Sequence, residues 1–524
     1  TLGPDDQVEL EPRNARVTLL SGETVKLSSA FTLLRRNLED YDAKSAAQIT
    51  GVHANVIRRF AREFGQAKSA AIYMGAAAGK ILHGELVQRA TILMCALTGN
   101  NGRAGGGWQE MTFWELDGKM LSAFHDFPTD LVPGDMNTIY PALMGMGAQQ
   151  AASPAFISGS FMMLMNGGTY ADQLRPEYND RTLPRTPEAY LKEALAKGEI
   201  HNVPGEELGN PDVVFNMFGN PFRHRRMGER LGKTLFAKAK LVVDLTLRMD
   251  DTARHSDTLL PTAGPYEKLG FKYSLSYPPY LHLADKAVEP LGEAKSDWAI
   301  LSLLMQRVEA EARRRGVSTV KTYRGVEYDL GQAYWRFSDK GRIGPYEDEK
   351  FMRLILALSP ATQGITMEDL RANKGVMRYT GVSQMGKMWC GTSDYRPDEP
   401  LMAFQDHVVK KMPWATSTGR QQFYVDHPVY VEVGETLPVH KQPPRSGGDF
   451  PLVMTCGHTR WSVHTMWRDV DILLRLQRGE PVIFVNPDDA ARRGLADHDY
   501  AAVHNDLGEF VARVKLTPGI QPGQ

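Results

Sequence analysis

Few cysteines, no excess of either charge and no long apolar run are the first features of this chain, and each excludes a class of function. Of 524 residues three are cysteine, and Cys95, Cys390 and Cys456 lie far apart with no C-x-x-C spacing. That pattern argues against a zinc or iron–sulfur site built from this chain alone and reads as three buried free thiols. The 61 Lys and Arg residues balance 62 Asp and Glu residues, so nothing marks a nucleic-acid surface. No apolar stretch reaches the ~18 residues that a membrane-spanning helix needs. The sequence opens at Thr1 with no signal peptide or twin-arginine stretch, as expected of a fragment or a processed product. Repeats at a fixed period are absent as well. What remains is a chain long enough for several domains and more than one buried core.

Two glycine patterns imitate a phosphate-binding P-loop and fail it. Gly75 to Lys80 and Gly228 to Thr234 both place three residues between their glycines where four are required. The first has Ile81 where a magnesium-binding hydroxyl belongs, and in the second the strand follows the motif instead of preceding it. The run from Gly99 through Gly102 to Gly105-Gly106-Gly107 follows a helix and also misses the G-x-G-x-x-G pattern. A nicotinamide dehydrogenase therefore lacks its fingerprint. The glycines at 99–107 still allow a close backbone approach to a ligand.

The elements alternate in an α/β manner. Strands are expected at Val8–Leu10, Arg16–Leu20 and Thr24–Leu27, then a helix capped by Ser29 through Leu38. A stronger helix follows Val52, with Val56, Ile57, Phe60 and Phe64 on one face and Arg58, Arg59 and Arg62 on the other. A buried strand is expected at Ala70–Met74, a helix at Glu85–Leu97, another strand at Phe156–Met165 and a short helix from Thr186 to Lys197. Val213–Met217 reads as a strand, Arg223–Lys238 as a basic helix, and Ser296 as the cap of a helix from Asp297 to Arg315 stopped by Gly316. Its inward face is expected to be Trp298, Leu301, Met305 and Val308. Residues 317–445 read as an irregular covering segment. After a boundary at Arg445 to Gly448, the short strands Leu452–Thr455, Val482–Val485, Tyr500–His504 and Phe510–Leu516 suggest a small β-barrel.

Chemistry concentrates around Lys240 to Gly270. Leu241-Val242-Val243 is a short strand ending on Asp244, and Thr258-Leu259-Leu260 is a second strand stopping at Pro261. Ligands of open α/β sheets bind beyond the carboxyl ends of the strands, so Asp244 stands where a ribose or base would be held, or merely caps a solvated strand end. Asn216 and Phe218-Gly219-Asn220-Pro221 present amides and backbone donors to a pterin or phosphate, or form a plain turn. Arg223, His224, Arg225 and Arg226 would neutralise a pyrophosphate or simply face water. Asp297 could accept two hydrogen bonds from a guanine or supply negative charge to the first turn of its helix. Thr455 to Thr465 packs donors, aromatics and a cation into one loop, a pocket wall for an anionic group or a hydrogen-bonded surface loop. His458 and His464 have no third ligand at a recognisable spacing, so zinc fits poorly.

The order strand, Asp244, Arg248, Asp251-Thr252-Ala253, Ser256-Asp257, Leu260-Pro261 and Tyr266-Glu267-Lys268 resembles the large subunits of the dimethyl sulfoxide reductase family of molybdopterin oxidoreductases. His458-Thr459-Arg460-Trp461-Ser462-Val463-His464 and Leu474-Arg475-Leu476-Gln477-Arg478-Gly479 are most similar to the branch of nitrate reductase, ethylbenzene and steroid C25 dehydrogenases, and selenate and (per)chlorate reductases. The resemblance implies a Rossmann-like, doubly wound α/β fold followed by a β-barrel. Its segments would be residues 1–67 as the tail of an upstream α/β domain, 68–445 as the dinucleotide-binding domain and 446–524 as a truncated barrel. It implies a molybdenum ion held through two molybdopterin guanine dinucleotides. Contacts would come from Met74, Asn216, Gly219, Asn220, Asp244, Lys268, Asp297, Thr455, Gly457, His458, Thr459, Arg460, Trp461, His464 and Thr465. The family's cysteine cluster for a [4Fe–4S] centre and its aspartate ligand to molybdenum have no counterpart here, so no metal ligand or catalytic residue is assigned. The implied reaction is oxygen-atom transfer or hydroxylation of a small molecule, with electrons exchanged through an iron–sulfur subunit and a haem b subunit. The implied compartment is the periplasm, or else the cytoplasmic face of the membrane. The competing expectation is a non-catalytic α/β binding or assembly module that kept the fold.

Overall fold

The computed structural model describes residues 8–75, 79, 81–109, 179–197, 211–224, 228–273, 279–317, 319–321, 327–382, 391–392, 396, 398–414, 416, 418–443, 449–455, 470–476, 480–505 and 508–524. Its described part is a mixed α/β structure of several small sheets. A hairpin of β1 (Arg16–Thr18) and β2 (Thr24–Lys26) leads into α1 (Ala30–Glu39), whose cap is Ser29 as expected. Val8–Leu10 is not a strand. Ala43–Thr50 forms α2, capped by Asp42, a helix not expected from the sequence pattern. Helix α3 (Ala54–Gln66) has the expected amphipathic faces, yet it buries no residue, and Val56 and Phe60 remain exposed.

Strand β3 (Ala71–Tyr73) runs parallel to β4 (Gly107–Gln109), with α4 (Glu85–Leu97) between them, the right kind of crossover for parallel neighbours. The expected burial of β3 is wrong: Tyr73 is exposed, because β3 has only β4 beside it among the described residues. Cys95 on α4 is fully buried, and burial pushes its thiol up to about 11, so it is packing rather than chemistry.

The sheet that matters for function has three parallel strands, β5 (Val213–Met217), β6 (Leu241–Thr246) and β7 (Thr258–Pro261), with β6 in the middle. Val242 to Leu245 are all buried, as befits a strand covered on both faces. The link from β5 to β6 is not one basic helix. Its described residues form α5 (Pro221–His224), α6 (Gly228–Thr234) and a 3-10 turn at Phe236–Lys238. Leu231, Leu235, Phe236 and Val242 form the core beneath them, with Phe222 packed against it. Gly228 and Gly232, one helical turn apart, explain the second false P-loop. A Cβ on Gly228 would lie 2.0 Å from the Phe222 carbonyl oxygen, and one on Gly232 would lie 2.9 Å from the Phe222 ring. These glycines form a flat seat for Phe222.

Helix α7 (Asp297–Arg315) starts on Ser296, whose Oγ accepts from Ala299 N at 3.2 Å, and ends on Gly316 at φ 68°. Trp298 is buried as expected and stacks on Phe337 and Phe351, but the other fully buried apolar positions are Ala299, Ile300 and Ala312, not Leu301, Met305 or Val308. Ser296→Ala should cost about 1 kcal/mol in a denaturant titration, the usual value of a lost N-cap. No change in midpoint would show that the helix start is held by packing alone.

Residues 317–445 are more than a covering segment. Helices at Asp348–Leu358 and Met367–Ala372 pack with Leu281, Ala361, Ile365, Tyr379 and Val382 in the largest buried cluster among the described residues. Near the carboxyl end Val482–Val485, Tyr500–Asn505 and Gly508–Leu516 pair into a three-stranded sheet, the first parallel and the second antiparallel to the last. Leu452–Thr455 is not a strand, and no closed barrel exists among the described residues. Too few strands are joined there to remove the sheet's edges.

Candidate functional site

Parallel pairing sets Asn216 of β5 directly opposite Asp244 of β6. Asp244 lies inside its strand rather than at the end, since β6 runs on to Thr246. Asn216 Nδ2 donates to Asp244 Oδ1 at 2.7 Å and to the Gly219 carbonyl at 2.7 Å, tying the strand to the turn that follows it. Gly219 is tightly enclosed: an added Cβ would stand 3.3 Å from Asn216 Oδ1. Asn220 Oδ1 accepts from the Thr252 hydroxyl at 2.9 Å, and Thr252 is fully buried. Three predicted residues, Asn216, Gly219 and Asp244, thus form one hydrogen-bonded group near the carboxyl edge of β5 and β6, and Asn220, next in the chain, is tied separately to Thr252.

Asp244 is 0% exposed, and its Oδ2 has no partner. Burial pushes its carboxyl above the usual carboxylate range, the Asn216 hydrogen bond pulls it back, and the nearby charge of Asp250 raises it further. An acceptor kept dry and unpaired is costly by about 1–3 kcal/mol, so it needs an explanation.

Phe218 extends the group. It sits at φ 57°, its N–H donates to the Leu245 carbonyl at 3.0 Å, and its half-exposed ring lies 5.4 Å from the Lys268 ammonium. Lys268 Nζ in turn donates to Asp297 Oδ2 at 2.5 Å. Asp297 Oδ1 is buried without a partner. Lys268 and Asp297 therefore join the first group through Phe218. From the sequence Thr252 was given no site role, and Phe218 entered only through the backbone of the Phe218-Gly219-Asn220-Pro221 turn, not through its ring.

Other predicted residues lie elsewhere. Met74 follows β3 in a different sheet, and its Sδ accepts from the Thr91 hydroxyl at 3.1 Å. Arg223 pairs with Asp251 at 2.9 Å and His224 Nδ1 meets the Asn220 carbonyl at 3.0 Å, so neither is a free pyrophosphate anchor. Thr455 is in irregular chain. Gly457, His458, Thr459, Arg460, Trp461, His464 and Thr465 lie outside the described residues, as do Arg225 and Arg226.

A parallel α/β sheet with an unpaired carboxylate oxygen near its carboxyl edge, and a second at the start of a neighbouring helix, belongs to the class of folds that hold a nucleotide-bearing cofactor at strand ends. The model of the molybdopterin oxidoreductase family matches residues 24–307, and that of the molydopterin dinucleotide binding domain matches residues 452–524. The chain belongs to the molybdopterin oxidoreductase family. The respiratory nitrate reductase subunit alpha of Haloferax mediterranei is 34% identical, over 96% of this chain and 50% of that protein. The perchlorate reductase subunit alpha of Dechloromonas aromatica is 31% identical, over 97% of this chain and 51% of that protein. The chain spans about half the length of the relatives it matches. Acetylene hydratase from Pelobacter acetylenicus shares the fold, with a TM-score of 0.55 at 18% identity over 94% of this chain and 58% of that one.

Proposed function

We propose that this chain is part of the catalytic subunit of a molybdenum oxidoreductase and holds the guanine dinucleotide arms of a bis(molybdopterin guanine dinucleotide). The observation that carries this reading is the pair of buried carboxylate oxygens without partners, Asp244 Oδ2 and Asp297 Oδ1. Both are acceptors, so they call for donors: ribose hydroxyls or the N1–H and N2 amine of a guanine. The donor set fits the group, with Lys268 beside Asp297 to orient it and the Gly219-Asn220 turn offering backbone amides. Met74, Thr455 and residues 457–461, 464 and 465 are assigned to the same cofactor by similarity, within a Rossmann-like body and a β-barrel.

When bound, the molybdenum and its pterins supply the two-electron chemistry of oxygen-atom transfer or hydroxylation. This chain's residues bind and orient: Asn216 fixes Asp244, Thr252 fixes Asn220, and Phe218 places Lys268. We assign the electrons to an iron–sulfur partner subunit, with a haem b subunit beyond it, and the complex to the periplasm. The relatives' printed activities favour a small oxyanion as substrate. No helix among the described residues is long and apolar enough to cross a membrane.

Lys268→Met keeps the length of the side chain and removes its charge. We expect retained molybdenum and guanine nucleotide in the purified full-length enzyme to fall about tenfold, the scale of a lost hydrogen bond to a charged group. Wild-type content in the variant would remove Lys268 and Asp297 from the site. The non-catalytic alternative predicts no molybdenum in the wild-type protein at all.

A further inference from the structure

A second buried polar cluster lies apart from the carboxyl edge of β5 and β6. His83, at φ 63°, precedes α4 and is nearly closed from solvent, its side chain 6% exposed. Its Nε2 is 2.5 Å from Thr182 Oγ1, and Thr182 donates its hydroxyl to Asp180 Oδ1. On the other side Nδ1 lies 2.5 Å from Glu435 Oε1, at ion-pair distance but off the line of a good hydrogen bond. The Glu435 side chain is 4% exposed and meets the Glu85 carboxyl.

The Thr182 hydroxyl is committed to Asp180, so it accepts from His83 Nε2–H. His83 Nδ1 then faces the Glu435 carboxyl at 2.5 Å, close enough for a proton to pass between imidazole and carboxyl after a small rotation. The Glu85 carboxyl beside Glu435 favours a proton on the Glu435 side, since two neighbouring carboxylates repel each other. Burial pushes the Glu435 carboxyl up, His83 opposes it, and Glu85 adds to it, with Lys441 again opposing. The remaining charged neighbour, Arg89, is turned to the backbone, donating to the Glu435 and Thr436 carbonyls at 2.6 and 2.8 Å, with its guanidinium near Tyr430. Lys441 Nζ likewise donates to the Val433 carbonyl. Neither cation neutralises the carboxyl pair by a direct bond among the described contacts.

Position gives the cluster a task. Asp180 is partly exposed, while Glu85 opens α4 in the connection from the carboxyl end of β3, the end of a parallel sheet where ligands are met. Reduction of an oxyanion takes up two electrons and two protons, releasing the reduced ion and water, and the reverse hydroxylation releases the same number. We propose that Asp180, Thr182, His83, Glu435 and Glu85 form a proton-transfer chain between solvent and the redox cleft. Asp180 is its outer end, and His83 with Glu435 is the step at which one proton changes sides. The proposal rests on the redox reading of the family fold above, with the electrons coming from the iron–sulfur carrier. These are positioning and relay residues, not groups that touch substrate.

The test uses the full-length holoenzyme with molybdenum content measured for each variant. His83→Gly suits the left-handed backbone and leaves a space the size of an imidazole. Turnover with a viologen donor and nitrate as the oxyanion should drop about tenfold or more, in the range of lost proton transfer, with KM unchanged. Added imidazole should restore it in a saturable way. Glu435→Gln should show a similar drop, a shifted pH limb and a changed solvent isotope effect. Independently of turnover, the infrared spectrum of the wild-type protein should contain a buried carboxylic-acid band that moves in D2O and is lost in Glu435→Gln. Normal turnover and pH profile in both variants would overturn the chain, and so would a loss that imidazole does not restore at unchanged molybdenum content. A wild-type holoenzyme without molybdenum would fail at the redox reading instead, and would take this proposal with it.

Discussion

Asp244→Ala is expected to empty the site. Guanine nucleotide and molybdenum retained by the purified full-length protein should fall by about a hundredfold, since removing one partner of a buried charged hydrogen bond costs about 2–5 kcal/mol. Two losses add. The acceptor of the bound donor disappears, and Asn216, which held Asp244 at 2.7 Å, is freed to turn. Asp244→Asn separates charge from shape. Because the folded carboxyl is raised, it holds a proton that the unfolded chain releases between the ordinary Asp value and the folded one. Stability of the cofactor-free protein therefore falls as pH rises through that window. Asn has no such proton to lose, so Asp244→Asn should be more stable than the wild type at neutral pH, equal to it in acid below the ordinary Asp value, and still unable to retain nucleotide. Thermal melts of the cofactor-free proteins across pH check the first part. A melting temperature lower than wild type at neutral pH would mean that Asp244 is a structural anchor.

Gly228→Ala should destabilise the protein by about 3 kcal/mol or more, as expected when a backbone rather than a flexible side chain blocks the added methyl. The new Cβ would meet the Phe222 carbonyl oxygen at 2.0 Å and its carbon at 2.7 Å. Phe222 cannot easily yield, being held edge-on by Phe236 at 5.1 Å and stacked on His255 at 4.3 Å. Its displacement would drag Asn220 away from Thr252, so cofactor retention should fall along with stability. Gly232→Ala meets only the Phe222 ring and should cost less. Equal effects of the two substitutions in a denaturant titration would contradict the seat described for Phe222.

The sequence was most readable where local rules act alone. Ser296 and Gly316 bracket α7 as their chemistry demands, and α4 begins and ends where the apolar run does. Asp244 stood out because an acid in a β-branched run is rare, and its neighbours Asn216, Gly219 and Asn220 followed from strand-end logic. What could not be read depends on contacts distant along the chain. Thr252 reaches Asn220 across 32 residues, and Lys268 reaches Asp297 across 29. The basic run after Arg223 looked like one helix because its glycines gave no hint of Phe222. The buried cluster at 356–382 was missed because proline and aromatic content there imitates loop. His83 and Glu435 are 352 positions apart, and nothing in either segment announces the other.

Acid release of nucleotide from the full-length wild-type protein, quantified beside its molybdenum, tests the central claim most directly. Two GMP for each molybdenum, both lost in Asp244→Ala, is the predicted result. Absence of GMP from the wild type, or its retention in Asp244→Ala at wild-type levels, would contradict the assignment of the unpaired carboxylates to a pterin nucleotide.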